Sequence, residues 1–228
     1  MNESPSPACL LDLRYWPNLN YLTKLTKERL VFLENCEHFV KSSGRNRAKI
    51  VNAHGMQLLS IPILGGRSHK QLYRDTRIDN RTQWQRQHWQ SLQTAYGKAA
   101  FFEYYEHDLK RLYQQPQEHL WDWNLLCFQW LLRQFKLNHA VQFTTVYEKE
   151  VNSPGLVDFR DLPDGVSAAL PYYQVFEEKT GFVAGLSALD LLLQVGPGEG
   201  LHHLRQISQE NHQRFNGGLT ASSYFRAL

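Results

Sequence analysis

Apolar positions fall into short runs near the N-terminus and into helical periodicities further along the chain. Ala8-Cys9-Leu10-Leu11 is bounded by Pro7 and Asp12 and predicts a buried strand feeding the loop Arg14-Tyr15-Trp16-Pro17-Asn18, read as a ligand-facing turn. Leu19, Leu22 and Leu25 recur at a spacing of three and predict a short helix over 18–27. The run Arg29 to Leu33 then predicts a second buried strand. Strand, loop, helix, strand opens a parallel α/β unit. Arg47 to Asn52 and Met56 to Ile63, joined by Ala53-His54-Gly55, predict a hairpin. Leu64 to Lys70, with Gly65-Gly66, is expected to be a mobile loop, and Leu72 to Ile78 a further strand.

Helical spacing dominates the middle of the chain. Asp79-Asn80-Arg81-Thr82 offers capping side chains, and Trp84, Gln87, His88, Ser91 and Ala95 then fall at helical spacing before Tyr96-Gly97-Lys98. A second helix is expected over Phe101 to Leu112. Trp121 to Phe135 has the broad apolar face of a core helix, so Trp121, Trp123 and Trp130 read as packing residues. Val141 to Tyr147 is β-like, and Asn152-Ser153-Pro154-Gly155 with Pro163-Asp164-Gly165 marks a long loop, the natural place for a lid. Leu186 to Val195 predicts a helix that stops at Gly196-Pro197-Gly198. The polar tail beyond Gly200 is expected to be poorly ordered or to pack through His202, His203 and Leu204. The expected fold class is α/β: a partly parallel sheet opening with a strand–loop–helix–strand unit, followed by a helix-rich C-terminal half, all in one domain over 1–228.

Composition narrows the function classes. A net charge of +3, from 25 basic and 22 acidic residues, suits a small anionic ligand but not a nucleic-acid surface. No apolar run approaches the ~20 residues that span a bilayer. Met1 to Ala8 lacks the charge and apolar core of a signal peptide. Cys9, Cys36 and Cys127 are scattered, without disulfide or zinc spacing, which points to a reduced cytoplasm and to no structural metal. No nucleophile elbow, Walker loop or dinucleotide fingerprint is present, so no cofactor is expected.

Chemistry concentrates in His38 to Arg47. Within ten residues after the second predicted strand stand His38, Lys41, Arg45, Asn46 and Arg47, where an α/β sheet usually places its ligand. Arg45 and Arg47 share a face if the segment is extended, and two guanidinium forks suit a phosphate or carboxylate. Lys41 adds a point charge, and Gly44 lets backbone N–H groups approach the anion. Histidine being the side-chain type whose unperturbed pKa lies near neutrality, His38 is the candidate for proton transfer. A solvated basic turn at a strand end would account for the same composition. His88 reads either as a buried hydrogen-bonding residue or as part of a site, and with Glu103, Glu106 and His107 it shows no zinc spacing. Ser187 and Asp190 have the spacing of a helix capping pair.

These residues resemble the WbqC-like family, bacterial proteins associated with O-antigen and related surface-polysaccharide gene clusters. The resemblance is carried by Tyr15-Trp16-Pro17 with Tyr21, by His38, Lys41 and Arg45-Asn46-Arg47, by Ser60-Ile61-Pro62 and by Trp84 and His88 before Ala95-Tyr96. It continues through Phe101-Phe102, Tyr173-Gln174, Leu186 to Asp190 and Gly196-Pro197. Many members of that family open with Gln-Pro-Tyr and a Gly-Tyr pair where this chain has Leu13-Arg14-Tyr15 and Asn20-Tyr21. The resemblance implies acyl or glycine transfer to a sugar, with a non-catalytic binding or scaffold protein of polysaccharide assembly as the alternative. On the transfer reading His38 deprotonates the sugar amine or hydroxyl. Arg45 and Arg47 hold the phosphate of a nucleotide-sugar or activated acyl donor, Tyr15 and Asn46 orient it, and Asp190 positions a partner or caps a loop.

Overall fold

The computed structural model describes residues 8–27, 30–65, 71–160, 162 and 170–216. The expectations for Met1 to Pro7, for most of the 64–70 loop and for Pro163-Asp164-Gly165 lie outside them. In chain order the elements are β1 (Ala8–Leu11), α1 (Leu19–Thr23), β2 (Leu30–Leu33), β3 (Arg47–Asn52) and β4 (Gly55–Ser60). They continue with α2 (Trp84–Tyr96), α3 (Phe102–Gln114), α4 (Leu120–Gln134), β5 (Ala140–Phe143), β6 (Leu156–Asp158), α5 (Glu177–Thr180) and α6 (Ala188–Asn216).

β1 is buried at all four residues because it is central in a parallel sheet of order β5-β2-β1-β6, where both faces are covered. The fold is mixed α/β: the parallel sheet opens with β1 and β2 near the N-terminus and is flanked by β5 and β6 from further along the chain, and helices dominate the C-terminal half, as expected from the patterning. The predicted hairpin is the antiparallel pair β3 and β4, with Gly55 at φ +103 supplying the turn. α2 turns Trp84, His88, Leu92, Ala95 and Tyr96 inward, and α4 buries Trp121, Trp123 and Trp130, the packing role read from their spacing. α1 and α4 both pack on α6, which ties the first parallel unit to the helical half.

Three expectations are corrected and a fourth is sharpened. Leu72 to Ile78 is not a strand: Tyr73–Asp75 forms a 3-10 turn between single bridges at Leu72 and Ile78. Tyr73 is drawn wholly into the core, where its hydroxyl donates to the Leu13 carbonyl at 2.9 Å and receives the Asn124 amide, so the segment bends inward. The long loop contains β6, whose three residues complete the sheet beside β1. So short a strand leaves no periodicity and is settled by its partner's free edge. The capping residues before α2 are used otherwise, Asp79 on Arg81 and Asn80 on the Trp84 indole at 3.0 Å. Finally, helix geometry breaks at Gly196 (φ +79) beside Pro197, where the sequence places the stop, and the tail beyond Gly200 takes the packed alternative, running as helix to Asn216 with His203, Leu204 and Ile207 buried.

At Gly196 a Cβ would collide with the Phe101 ring, besides the cost of positive φ. Gly196→Ala is expected to lower stability by about 2–4 kcal/mol in urea denaturation. Gly198→Ala, where an added Cβ meets nothing, leaves stability unchanged or raises it by up to about 1 kcal/mol.

Candidate functional site

Beyond the carboxyl end of the parallel sheet, the usual ligand crevice is occupied by protein charges. Asp12 follows β1 and is fully buried. Arg14 grips it through two hydrogen bonds of 2.9 and 3.0 Å and donates also to the Leu162 carbonyl at 2.8 Å. Arg45 places Nη1 3.4 Å from Asp12 and forks onto Glu37 at 2.7 and 2.5 Å. Burial raises the Asp12 and Glu37 carboxyls above their ordinary range, and the arginines pull them back. Burial works against the Arg45 charge, but Glu37 and Asp12 more than restore it and hold the guanidinium above its usual pKa. A second set joins Arg160 to Glu34 at 2.9 Å and to Asp158.

Open space lies to one side of this network, in a cleft of about 260 Å³. Its walls are the loop 14–18, the turn 42–44, the first residues of β3, Leu58 and the approach to α6 at Gly185 and Ser187. Backbone hydrogen bonds stitch these walls together. Tyr15 N–H donates to the Gly44 carbonyl at 2.9 Å, Ser187 N–H to Lys49 at 2.8 Å and Ala188 N–H to Pro17 at 2.8 Å. Trp16 is held at φ +38, a left-handed conformation that a bulky residue adopts only when its surroundings impose it. The imposition is visible: its indole donates to the Tyr113 hydroxyl at 2.8 Å and its ring meets Trp130 edge-on.

Four cleft features point toward an anion. Arg47 is half-buried, its Nε has no hydrogen-bond partner among the described residues, and no described carboxylate pairs with it. Lys49, two residues along the same strand face, lines the same space. The Ser187 hydroxyl is buried and has no partner among the described residues. Gly44 brings backbone to the wall without a side chain. A buried polar atom without a partner costs about 1–3 kcal/mol, so a ligand supplying acceptors recovers that cost. This volume has room for one small charged group and a small neighbour and lies below the about 300 Å³ at which ordinary ligand pockets begin.

The predicted residues are distributed unevenly around it. Arg47 and Tyr15 line the cleft. Arg45 does not join Arg47: its fork is taken by Glu37, because the turn 43–46 directs the two side chains apart. Asn46 holds the turn, donating to the Ile61 carbonyl at 3.1 Å. His38 and Lys41 are exposed and outside the lining, His38 being tied to Leu72 through its backbone. Asp190 lies beneath Tyr172 and Gln174, accepting from them at 2.6 and 3.1 Å; burial raises its carboxyl, and those hydrogen bonds oppose the rise. The Ser187–Asp190 cap is not formed as expected. Asp190 N–H bonds the Ser187 carbonyl at 3.0 Å, and its carboxylate faces away. Lys49 was open to detection as the strand-period partner of Arg47, whereas nothing in the spacing marks Ser187 as a cleft residue. Among the described residues no cluster of three His, Cys, Asp or Glu is placed to hold a metal.

Tyr15 and His88 belong to a buried relay. The Trp16 indole can only donate, so the Tyr113 oxygen accepts from it, and the Tyr113 and Tyr15 hydroxyls bond each other at 2.5 Å. The Tyr15 hydroxyl also bonds His88 Nδ1 at 2.9 Å, and the His88 ring interacts with the Ser60 backbone. Every member is satisfied with a neutral imidazole, and burial lowers the His88 pKa to about 4. The unfolded imidazole titrates near about 6.5. The unfolded chain therefore binds the extra proton first, and the contribution to stability is complete above pH about 6.5 and is lost as pH falls toward 4.

Urea denaturation between pH 4 and 7 is expected to show stability rising by up to about 3 kcal/mol from this group, a slope that His88→Gln flattens. Arg45→Met, which strands Asp12 and Glu37, is expected to cost about 3–5 kcal/mol. Arg47→Gln costs no more than about 1 kcal/mol in the same assay.

A sequence model of the WbqC-like protein family matches residues 14–159, more than half of the chain and the region that supplies most of the cleft. The uncharacterized protein Rv1507c of Mycobacterium tuberculosis is 37% identical over 65 residues, a match covering 28% of this chain and 27% of that protein. The shared stretch thus spans about a quarter of the relative's length. No solved structure matches. With the matched region running from the aromatic-proline loop through the hairpin to β6, the chain belongs to the WbqC-like protein family.

Proposed function

We propose that the protein transfers an acyl or aminoacyl group, glycine among them, from an activated donor to a sugar of O-antigen or another surface polysaccharide, acting as one domain in the cytoplasm. The observation that carries this reading is the cleft whose Arg47 Nε and Ser187 hydroxyl have no partners among the described residues, beside Lys49. A guanidinium, an ammonium and a hydroxyl on residues lining one small cleft suit the phosphate of a nucleotide-sugar or of an activated acyl donor.

In the proposed step the sugar amine or hydroxyl attacks the acyl carbon, the bond from that carbon to the donor's phosphate oxygen breaks, and the phosphate departs with its negative charge held by Arg47 and Lys49. The acceptor's proton goes to His38, the exposed imidazole at the start of the segment whose far end, Ser42 to Gly44, walls the cleft. Asn46 and Tyr15 act by holding the turn and the first loop in place. Arg45 supports the same turn from behind through Glu37 and Asp12.

A second reading, a non-catalytic ligand-binding protein of polysaccharide assembly, is favoured by the described lining itself, which carries no carboxylate, histidine or cysteine. The two separate on purified variants. Arg47→Gln is expected to weaken donor binding about 10-fold or more in calorimetry. His38→Ala is expected to bind donor normally while slowing transfer to a sugar acceptor about 100-fold, followed by mass spectrometry. Transfer at wild-type rate by His38→Ala removes the base assignment, absence of transfer by the wild-type protein with intact donor binding selects the second reading, and unaltered binding by Arg47→Gln removes the cleft from both.

A further inference from the structure

The hairpin that carries Arg47 and Lys49 presents apolar surface beside them that anion binding leaves unused. In its antiparallel register Arg47 stands opposite Ser60, Lys49 opposite Leu58 and Val51 opposite Met56. Leu58 and Met56 lie two residues apart on one face of β4 and are 47% and 57% exposed. Leu58 lines the cleft and is the direct cross-strand neighbour of Lys49. Single exposed apolar residues are common and mean little. Two in register, leading outward from a cleft with unpartnered cationic and hydroxyl groups, form a continuous track from polar to apolar.

The kind of apolar group is constrained by what the lining lacks. A nucleobase would be expected to stack on an aromatic face. The aromatic rings of the lining, Tyr15 and Trp16, are 0% and 1% exposed and are committed to Tyr113, His88 and Trp130. Leu58 and Met56 offer flexible aliphatic surface instead, suited to a saturated chain. The volume of about 260 Å³ accommodates a phosphate head group and leaves any longer substituent to run out over the hairpin.

We infer that the cleft selects an acyl phosphate with an aliphatic chain, the phosphate lying among Arg47, Lys49 and Ser187 and the chain over Leu58 and Met56, so that alkyl phosphates serve as unreactive probes of the same contacts. The inference rests on the anion-binding reading of the cleft and narrows it: the donor's specificity comes from an aliphatic group next to the phosphate rather than from a base.

Isothermal titration with inorganic phosphate, ethyl, butyl and hexyl phosphate and uridine monophosphate tests it on the full chain. Affinity is expected to rise about twofold to fourfold per methylene along the alkyl series, with uridine monophosphate no tighter than inorganic phosphate. The double variant Leu58→Asn, Met56→Gln, altered only at exposed positions, is expected to flatten the series while retaining inorganic phosphate. Arg47→Gln weakens every member alike. A flat series for the wild-type protein with phosphate still bound overturns the aliphatic assignment and leaves the anion site standing, as does uridine monophosphate binding tighter than hexyl phosphate. Failure of every probe to bind overturns both. A chain-length dependence that survives the double variant moves the apolar contact off the hairpin and also overturns the inference.

Discussion

Arg45 lies between Asp12 and Glu37, where the end of β1, the segment after β2 and the turn into β3 meet, and the neighbouring structure is arranged around keeping that charge paired. A guanidinium and two carboxylates at this depth are tolerable only if each is matched, since any one left alone would cost several kcal/mol. Arg14 shares Asp12 and anchors residue 162, so the network also reaches the segment that follows β6. The geometry of the 43–46 turn is therefore set from behind, by ion pairs, and not by the cleft it walls.

That arrangement explains how a cleft can hold unpartnered polar groups. Arg47 emerges from the same turn as Arg45 but on the other side, and its Nε finds no partner among the described residues. Ser187 is fixed through its backbone to Lys49 while its hydroxyl stays unused. On the far side of the first loop the polar atoms of Trp16, Tyr113, Tyr15 and His88 satisfy one another in order, and burial keeps the imidazole neutral. One loop thus separates a closed, self-satisfied relay from an open set of donors, and the positive φ at Trp16 is where the backbone turns from one to the other. Backbone hydrogen bonds between the walls hold these polar groups in fixed positions.

Much of the fold was legible in the pattern of residues. Ala8 to Leu11 and Leu30 to Leu33 are too short and too uniformly apolar for anything but buried strands, and the connecting helix dictates that they run parallel. The hairpin and the three helices α2, α3 and α4 follow from strong periodicity. What was illegible lacked a period of its own: β6 is a strand only because β1 has a free edge, and Leu72 to Ile78 bends only because the Tyr73 hydroxyl has a carbonyl to reach.

The candidate site divides in the same way. The sequence by itself determined that basic side chains gather after β2, that Arg47 is among them and that the chain resembles the WbqC-like family, since these depend on residue type, spacing and motif. Only the tertiary structure decided that Arg45 is spent on Glu37 and Asp12 while Arg47 is not, that His88 lies in a closed relay, and that Ser187, 140 positions further on, completes the cleft wall. Arginines two positions apart carry the same charge in either role. Which one is paired depends on where the carboxylates lie in space, and Asp12 and Glu37 arrive from the ends of other strands.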